Sequence, residues 1–597
     1  MGIFQTITRE VRYLKRVTRV LKAVKHINPS STQLIADEIE KWVDKHSSNV
    51  ALMEDDRQFT FQEMDDYANR VANWALGKGL KSGDSVAVFA RNRLEYVPLW
   101  YGFTKIGVVP ALLNFQLADK ALAHCMNLSG AKILILDHEM ADQWETAKGK
   151  VEHDVEVYAA FGPVKPYKRL EDTLNESVAH RPNRSLRAGI TGGDEVIKMF
   201  TSGTTGLPKA AKVTHVRAAN YLLGFGAASN AKPTDRMLMV LPMYHATGGL
   251  CGVGAALSKG GAVIIRPKFS ASKFWDEATD YGATMFMYVG ESCRFLLSSP
   301  THEKERAHNI RWIIGNGLRP DVWTGFVSRF NIPHVIEFYG ATEGNVSLIN
   351  LDGPVGAVGR APAYLRSRFN CDIIRFDVET NTNIRGSDGF CIRTNAGEVG
   401  ELIGEIRMDS GRFRFDGYQS KEATKKKILR DVFKKGDAWF RTGDLMRRDE
   451  HDYYYFMDRV GDTYRWKAEN VATGEVAAVL SSFPGVTQAN VYGVEIKGYD
   501  GRAGMASIVT EGDIDLSALK AHVVAALPHY ARPVFIRMSQ EAETTGTFKF
   551  KKINLVKAGF DPANIDDPLY VSVPKDDEYK AITTDVYEAI LAGEIRL

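Results

Sequence analysis

Past Pro29 the chain alternates between apolar runs too short for helices and amphipathic segments at helical spacing, a pattern that limits it to sheets covered by helices. The segment 60–80 reads as an amphipathic helix. The turn Lys81-Ser82-Gly83-Asp84 leads from it into the apolar run 86–90, and 132–136, 196–200, 237–241, 262–265 and 312–314 are further short buried strands. At 597 residues, 44% of them apolar, the chain is long enough for more than one domain. The stretch 369–405, richer in Thr, Gly and charged residues, predicts a smaller β-rich subdomain. A boundary near 458–462 leaves a C-terminal part of α+β character.

The net charge of +3 is too small to argue for nucleic acid, but it is unevenly placed. Residues 1–27 hold seven Lys/Arg against one acid, or +6, which leaves −3 for the rest. Among them Phe4, Ile7, Val11, Leu14, Leu21 and Val24 recur at helical spacing, and Arg9, Arg12, Lys15, Arg16, Arg19, Lys22 and Lys25 supply the other face. Such a helix over 1–28 can lie in the interface of an anionic membrane, where each basic residue contributes roughly 1 kcal/mol. The other readings are packing on the protein's own surface and a mitochondrial-type presequence. The segment lacks the long apolar centre of a signal peptide. Met1-Gly2 followed by Thr6 matches a myristoylation pattern. No run of about 18 apolar residues occurs, so a spanning helix is not expected. Five widely spaced cysteines, without a CxxC pair or a neighbouring His cluster, argue against a disulfide framework or a zinc site and fit a reducing cytosol.

The most informative segment is Thr201-Ser202-Gly203-Thr204-Thr205-Gly206-Leu207-Pro208-Lys209, which follows a predicted strand. Glycines let backbone N–H groups approach phosphate oxygens, hydroxyls add donors, and the lysine places a charge on the outer phosphates. The spacing is not GxxxxGK[ST], which disfavours P-loop chemistry.

This loop resembles the signature of the adenylate-forming enzymes: acyl-CoA synthetases, luciferases and nonribosomal adenylation domains. Further elements follow in order: Tyr339-Gly340-Ala341-Thr342-Glu343-Gly344, Trp439-Phe440-Arg441-Thr442-Gly443-Asp444, and Asp458-Arg459 before the C-terminal part. The segment from Asp458 through Trp466-Lys467 to Glu469-Asn470-Val471, and Thr545-Gly546-Thr547-Phe548-Lys549, are similar to the fatty acid transport protein and very-long-chain acyl-CoA synthetase family. The resemblance implies an α/β fold: a large AMP-binding N-terminal domain over 29–459, with two mainly parallel sheets covered by helices plus the β-rich subdomain, and a smaller mobile α+β domain over 460–597.

The resemblance also implies roles. Thr201, Ser202, Gly203, Thr204, Thr205 and Lys209 would hold the β/γ-phosphates of ATP, and Glu343 is the hard oxygen ligand for Mg²⁺. Thr342 would bond the α-phosphate. Tyr339 with Gly340 offers a flat face to adenine, and Gly315-Asn316-Gly317 a backbone that the base can approach. Asp444 accepts from two ribose hydroxyls, while Arg459 bonds ribose or α-phosphate. Lys549, rather than the nearby Lys551 or Lys552, would bridge the attacking carboxylate and the α-phosphate. In Leu241-Pro242-Met243-Tyr244-His245-Ala246-Thr247-Gly248-Gly249, His245 would gate or orient the carboxylate; the glycines 248, 249, 252 and 254 either leave room for a chain or permit close helix packing. Gly461 would be the hinge between half-reactions. Where the family usually has Trp-Lys-Gly-Glu-Asn, this chain has Ala468, whose methyl narrows any passage for coenzyme A.

The expected function is a long- or very-long-chain fatty acyl-CoA synthetase, releasing AMP and pyrophosphate and drawing fatty acid inward by trapping it as its ester. The competing readings are a ligase for a bile acid, carnitine or another bulky carboxylate, and a fatty-acid-binding transporter with weak adenylation. A pure binder has no use for Lys209, Glu343, Asp444 and Lys549 together. Expected partners are fatty acid, ATP and CoA, an anionic membrane on whose inner face the cytoplasmic protein sits peripherally, and a second copy in a homodimer, but no nucleic acid.

Overall fold

The computed structural model describes residues 3–597 apart from 202–206, 342–343, 379, 409–412, 419–420, 468, 500, 543 and 545–551. The first predicted helix forms as Phe61–Gly77 for a local reason. The Thr60 hydroxyl accepts the Glu63 N–H at 3.2 Å while the Glu63 carboxylate accepts the Thr60 N–H at 2.7 Å, so two of the donors left over at a helix start are satisfied reciprocally. Its inner stripe of Phe61, Met64, Ala68, Val71, Ala72 and Ala75 is fully buried. Gly102 of the neighbouring helix Tyr96–Thr104 lets the two come close, since a Cβ there would lie 2.5 Å from the Ala68 carbonyl oxygen.

The chain folds as two compact units, Met1–Arg360 with Glu405–Ile428, and Ala361–Gly404 with Leu429–Leu597. The first unit contains two sheets. One is seven-stranded, in the order Lys168–Arg169, Glu156–Ala160, Ala131–Asp137, Ser85–Phe89, Val109–Leu112, Glu195–Thr201 and Lys209–Thr214, and only its last pair is antiparallel. The other is eight-stranded, running Ser347–Asn350, Val335–Gly340, Trp312–Asn316, Met285–Val289, Arg236–Met239, Ala262–Ile265, Val50–Glu54 and Arg57–Thr60, antiparallel only at its two edge pairs. The inner strands Ser85–Phe89, Val109–Leu112, Ala262–Ile265 and Met285–Val289 are buried at every residue. Helices on both faces leave such strands no polar side, which is why they read as unbroken apolar runs.

The N-terminal helix Ile3–Val24 belongs to this unit. The buried Tyr13 hydroxyl donates to the Arg360 carbonyl at 3.0 Å, and the Glu10 carboxylate holds the Arg360 guanidinium at 2.7 Å. Packing on the protein's own surface thus holds for one face of this helix. Among the described residues no helix is long and apolar enough to cross a membrane.

In the second unit, Tyr453–Arg459 pairs antiparallel with Ala438–Arg448, and Cys371–Ile374 antiparallel with Val399–Glu405. This is the small β-rich part expected from 369–405. Beyond it a five-stranded sheet, Val486–Val494, Ala503–Thr510, Phe535–Met538, Leu569–Ser572 and Tyr579–Ala581, packs with the helices Thr473–Ser481 and Leu516–Ala526 around Val476, Leu519, Met505 and Ile536. The α/β class, the β-rich subdomain and the α+β C-terminal part are all present.

Candidate active site

The strand predicted over 196–200 is the first arm of a hairpin. Glu195–Thr201 pairs antiparallel with Lys209–Thr214, and the register closes Thr201 onto Lys209, so that 202–208 is the connection. Ser202, Gly203, Thr204 and Thr205 lie outside the described residues, as do Thr342, Glu343 and Lys549. Lys209 stands half-buried at the loop's exit with its Nζ 5.3 Å over the ring of Tyr418, and Tyr418 bridges to Ala211 of the same strand. An aromatic face steadies an ammonium without neutralising it. Tyr418 escaped the sequence reading; the signal for it is Gly417-Tyr418 followed by Thr424, whose hydroxyl accepts the Tyr418 N–H at 2.9 Å.

The strand ending at Thr214 runs straight into the helix His215–Ala228, capped by the Thr214 hydroxyl. Tyr221 of that helix donates to the Ala341 carbonyl at 3.4 Å, and the buried Arg217 donates to the Gly344 carbonyl. Both flanks of Thr342-Glu343 are therefore fastened to the helix that continues the Lys209 strand. Asn345 extends the clamp, its amide donating to the carbonyls of Glu405 at 2.9 Å and Phe413 at 3.0 Å. Neither Arg217 nor Asn345 carries a signal in sequence, where each reads as one more polar residue.

Strand Val335–Gly340 presents Glu337 and Tyr339 on one side and Phe338 on the other, where Phe338 packs 4.6 Å from the ring of Phe225. Tyr339 is half-buried at register with Leu348. The fully buried Glu337 accepts the N–H groups of Gly317 at 2.5 Å and Leu318 at 3.2 Å, and the hydroxyl of Tyr288. Burial pushes its carboxyl up to about 8. One side chain thus ties together the C-terminal ends of three adjacent strands. The three nominated glycines differ in purpose. A Cβ at Gly315 would meet the Tyr288 carbonyl oxygen at 2.1 Å, which makes it a packing glycine. At Gly317, whose φ is +81°, and at Gly340 a Cβ would come no closer than 3.7 Å to another atom, which leaves room in which a flat ring can lie.

His245 follows the strand Arg236–Met239, half-buried, with its ring 4.3 Å from that of Tyr244 and its carbonyl accepting the Gly249 N–H at 2.7 Å. Asn92 pins this turn by donating to the Leu241 carbonyl and accepting the Met243 N–H, each at 2.8 Å. The residues Thr247–Gly252 then form one turn of π-helix. The glycine question resolves toward packing: a Cβ would meet the Pro242 oxygen at 2.6 Å from Gly248, the Met243 oxygen at 1.9 Å from Gly249, the Met239 Cε at 2.2 Å from Gly252 and the Leu222 oxygen at 2.2 Å from Gly254.

In the second unit Asp444 and Arg459 are register partners, Nε to Oδ1 at 3.8 Å, with the carboxylate 17% and the guanidinium 42% exposed. The Thr442 hydroxyl accepts the Asp444 N–H at 3.1 Å and donates to the Leu402 carbonyl at 2.6 Å, which sets the carboxylate's backbone. Arg441 is bound to the buried Glu401 at 2.8 Å. Lys552 already has partners, Thr473 Oγ1 at 2.9 Å and Asp462 at 3.2 Å, so of the three lysines considered it is occupied by structure. Gly461 has a φ of +93° and open space about it. Among the described residues no three His, Cys, Asp or Glu side chains gather where they could hold a metal.

The family model described as AMP-binding enzyme matches residues 39–401, and the one described as AMP-binding enzyme C-terminal domain matches 475–549. Long-chain fatty acid transport protein 1 of Mus musculus is 41% identical over 545 residues, 90% of this chain and 84% of that protein. Long-chain fatty acid transport protein 2 of Rattus norvegicus is 38% identical over 549 residues, covering 91% and 88%. Among solved structures, the anthranilate CoA ligase AuaEII in complex with anthranoyl-AMP superposes with a TM-score of 0.74 at 20% identity, over 88% of this chain and 97% of that one. ATP-bound MatB from Rhodopseudomonas palustris gives 0.72 at 24% identity, over 87% and 98%. At such identities the structures establish the fold.

Proposed function

The chain belongs to the AMP-binding enzyme family and, within it, to the long-chain fatty acid transport proteins, and from that footing we propose that it is an ATP-dependent acyl-CoA synthetase for long- or very-long-chain fatty acids. The observation that supports the reading is the double fastening of 341 and 344 to the helix that continues the Lys209 strand, so that the residues flanking the Thr-Glu pair and the strand leaving the hydroxyl-rich segment meet on one element.

In the first half-reaction a carboxylate oxygen of the fatty acid attacks the α-phosphorus of ATP, the bond to the bridging oxygen breaks, and pyrophosphate leaves. Two anions must meet, so the residues assigned here mainly offset charge. Lys209 and the hydroxyls of 201–205 hold the outer phosphates, Thr342 bonds the α-phosphate, and Lys549 bridges carboxylate and phosphorus. Tyr339, Gly317 and Gly340 receive adenine. Asp444 takes the ribose hydroxyls in place of its long contact with Arg459, which is freed for ribose or phosphate. Glu343 would hold Mg²⁺ together with the substrate's own phosphates, a division that suits an ion needing only one or two protein carboxylates. The ion supplies charge neutralisation at the phosphates. His245 orients the carboxylate. In the second half-reaction the thiolate of CoA attacks the acyl carbon and AMP departs.

The C-terminal match over 475–549 supports 460–597 as the small domain, with 29–459 as the AMP-binding domain and Gly461 as hinge. The enzyme is assigned to the inner face of a membrane, where its substrates partition and where esterification retains them. The test is pyrophosphate release with ATP, Mg²⁺ and acids from short to very long, with and without CoA. Turnover is expected only with CoA and long acids, and Lys549→Ala should lower it at least about a hundredfold. Acyl-adenylate without CoA turnover would reject the thioester step and point to Ala468, and no pyrophosphate with any acid would overturn the reading.

A further inference from the structure

The helix Ile3–Val24 divides its residues into a fastened side and a presented one. On the fastened side Tyr13 is 1% exposed and bonded to Arg360, Glu10 is taken up by Arg360, Arg16 lies 5.1 Å over the ring of Trp312, and Arg19 reaches the Ala227 carbonyl at 3.4 Å. The opposite side presents Ile7, Val11 and Leu14, which are 53%, 60% and 39% exposed. At about 100° per residue these three fall within roughly 60° of arc, and Lys22 and Lys15 continue the same arc, while Arg12 stands on the helix flank about 60° past Lys15, from where its long side chain reaches toward the same surface. All three basic residues are exposed. The helix's one acid is Glu10, whose carboxylate faces Arg360, so the presented face carries positive charge alone.

We propose that this face is a docking surface for an anionic lipid bilayer, entered by Ile7, Val11 and Leu14 and held by Arg12, Lys15 and Lys22. The occupant follows from size and charge. Three aliphatic side chains over about 10 Å of helix fall far short of the roughly 800 Å² per partner that a stable protein interface buries. A shallow apolar wedge with a basic rim is what a headgroup region accepts. Like charges would also oppose a second copy of the same face. Because Tyr13, Glu10 and Arg16 tie the other side down, lipid that holds the helix also holds the unit carrying Lys209. The proposal rests on the peripheral-membrane assignment above, and names the surface responsible for it.

All five native cysteines are buried, so Val11→Cys in the full-length protein gives one accessible thiol for an environment-sensitive fluorophore. Its emission is expected to shift to the blue with phosphatidylcholine vesicles containing phosphatidylglycerol, not with phosphatidylcholine alone, and to return in high salt. In sedimentation, Arg12→Ser/Lys15→Ser/Lys22→Ser should weaken binding about a hundredfold. Ile7→Ser/Val11→Ser/Leu14→Ser should weaken it by at least about tenfold. Pyrophosphate release on a long-chain acid presented in detergent micelles with ATP and CoA, measured on the same variants without vesicles, keeps a failed lipid surface distinct from a failed synthetase and confirms that the variants fold. Pelleting unaffected by both triple substitutions would overturn the proposal. So would a blue shift that grows with protein concentration in the absence of lipid, which would assign the face to a second copy.

Discussion

Glu337 is the residue whose effect is easiest to isolate. Its carboxyl has a pKa of about 8 against an ordinary 4.5 because burial disfavours the anion, although the Tyr288 hydroxyl and two backbone N–H groups pull the other way. A raised folded pKa means that the native state binds the proton more tightly than the unfolded chain. The contribution is therefore fully present below about 4.5 and is lost as pH climbs through 8. Glu337→Gln, which is neutral throughout, should flatten the fall in Tm over that window, and an unchanged slope would contradict it. Glu337→Ala removes the shared acceptor of the Gly317 and Leu318 N–H groups and the main acceptor of the Tyr288 hydroxyl, a loss of about 2–3 kcal/mol, and should raise KM for ATP more than it lowers kcat. The sequence reading passed over this residue because an isolated glutamate two positions before Tyr339 carries no mark of its burial. Lys209 and Asp444, by contrast, stand out as candidates through the ordered motifs that contain them.

The π-turn Thr247–Gly252 shows how an element constrains single residues. Gly248 and Gly249 serve close approach of backbone to backbone, Gly252 makes room for the Met239 side chain, and Gly249 is the tightest, with a prospective Cβ 1.9 Å from the Met243 oxygen. Gly249→Ala should cost about 2–3 kcal/mol and lower Tm by several degrees, with His245 displaced through its bond to the Gly249 N–H. Gly149→Ala, where nothing lies within 4 Å, should leave Tm unchanged in the same thermal-melt series. Periodicity found the strands around this turn to within about two residues, since burial on both faces writes itself as an apolar run. It left the glycines open between room and packing, because that depends on which backbone lies opposite.

For the whole molecule the cysteines give the test. Cys125, Cys251, Cys293, Cys371 and Cys391 are free and buried, and burial alone pushes the Cys125 thiol up to about 12. A thiolate is the reacting species, so a thiol reagent should label fewer than one equivalent in the native protein and five in denaturant, and reductant should leave Tm unmoved. Rapid labelling of several cysteines without denaturant would contradict this packing.

The sequence by itself determined the α/β class, the strand that leads into 202–208, the family and the charge of the N-terminal helix. These are local or ordered properties: a period, a turn, a motif, a count. Only the tertiary structure decided which side of that helix is fastened, which glycines are packed and which open, that Lys552 is already occupied, and that Tyr418, Arg217, Asn345 and Glu337 hold residues of the candidate site or their neighbours. Each depends on residues far apart in the chain meeting at hydrogen-bond or van der Waals range, and no spacing along one segment encodes what another segment brings to it.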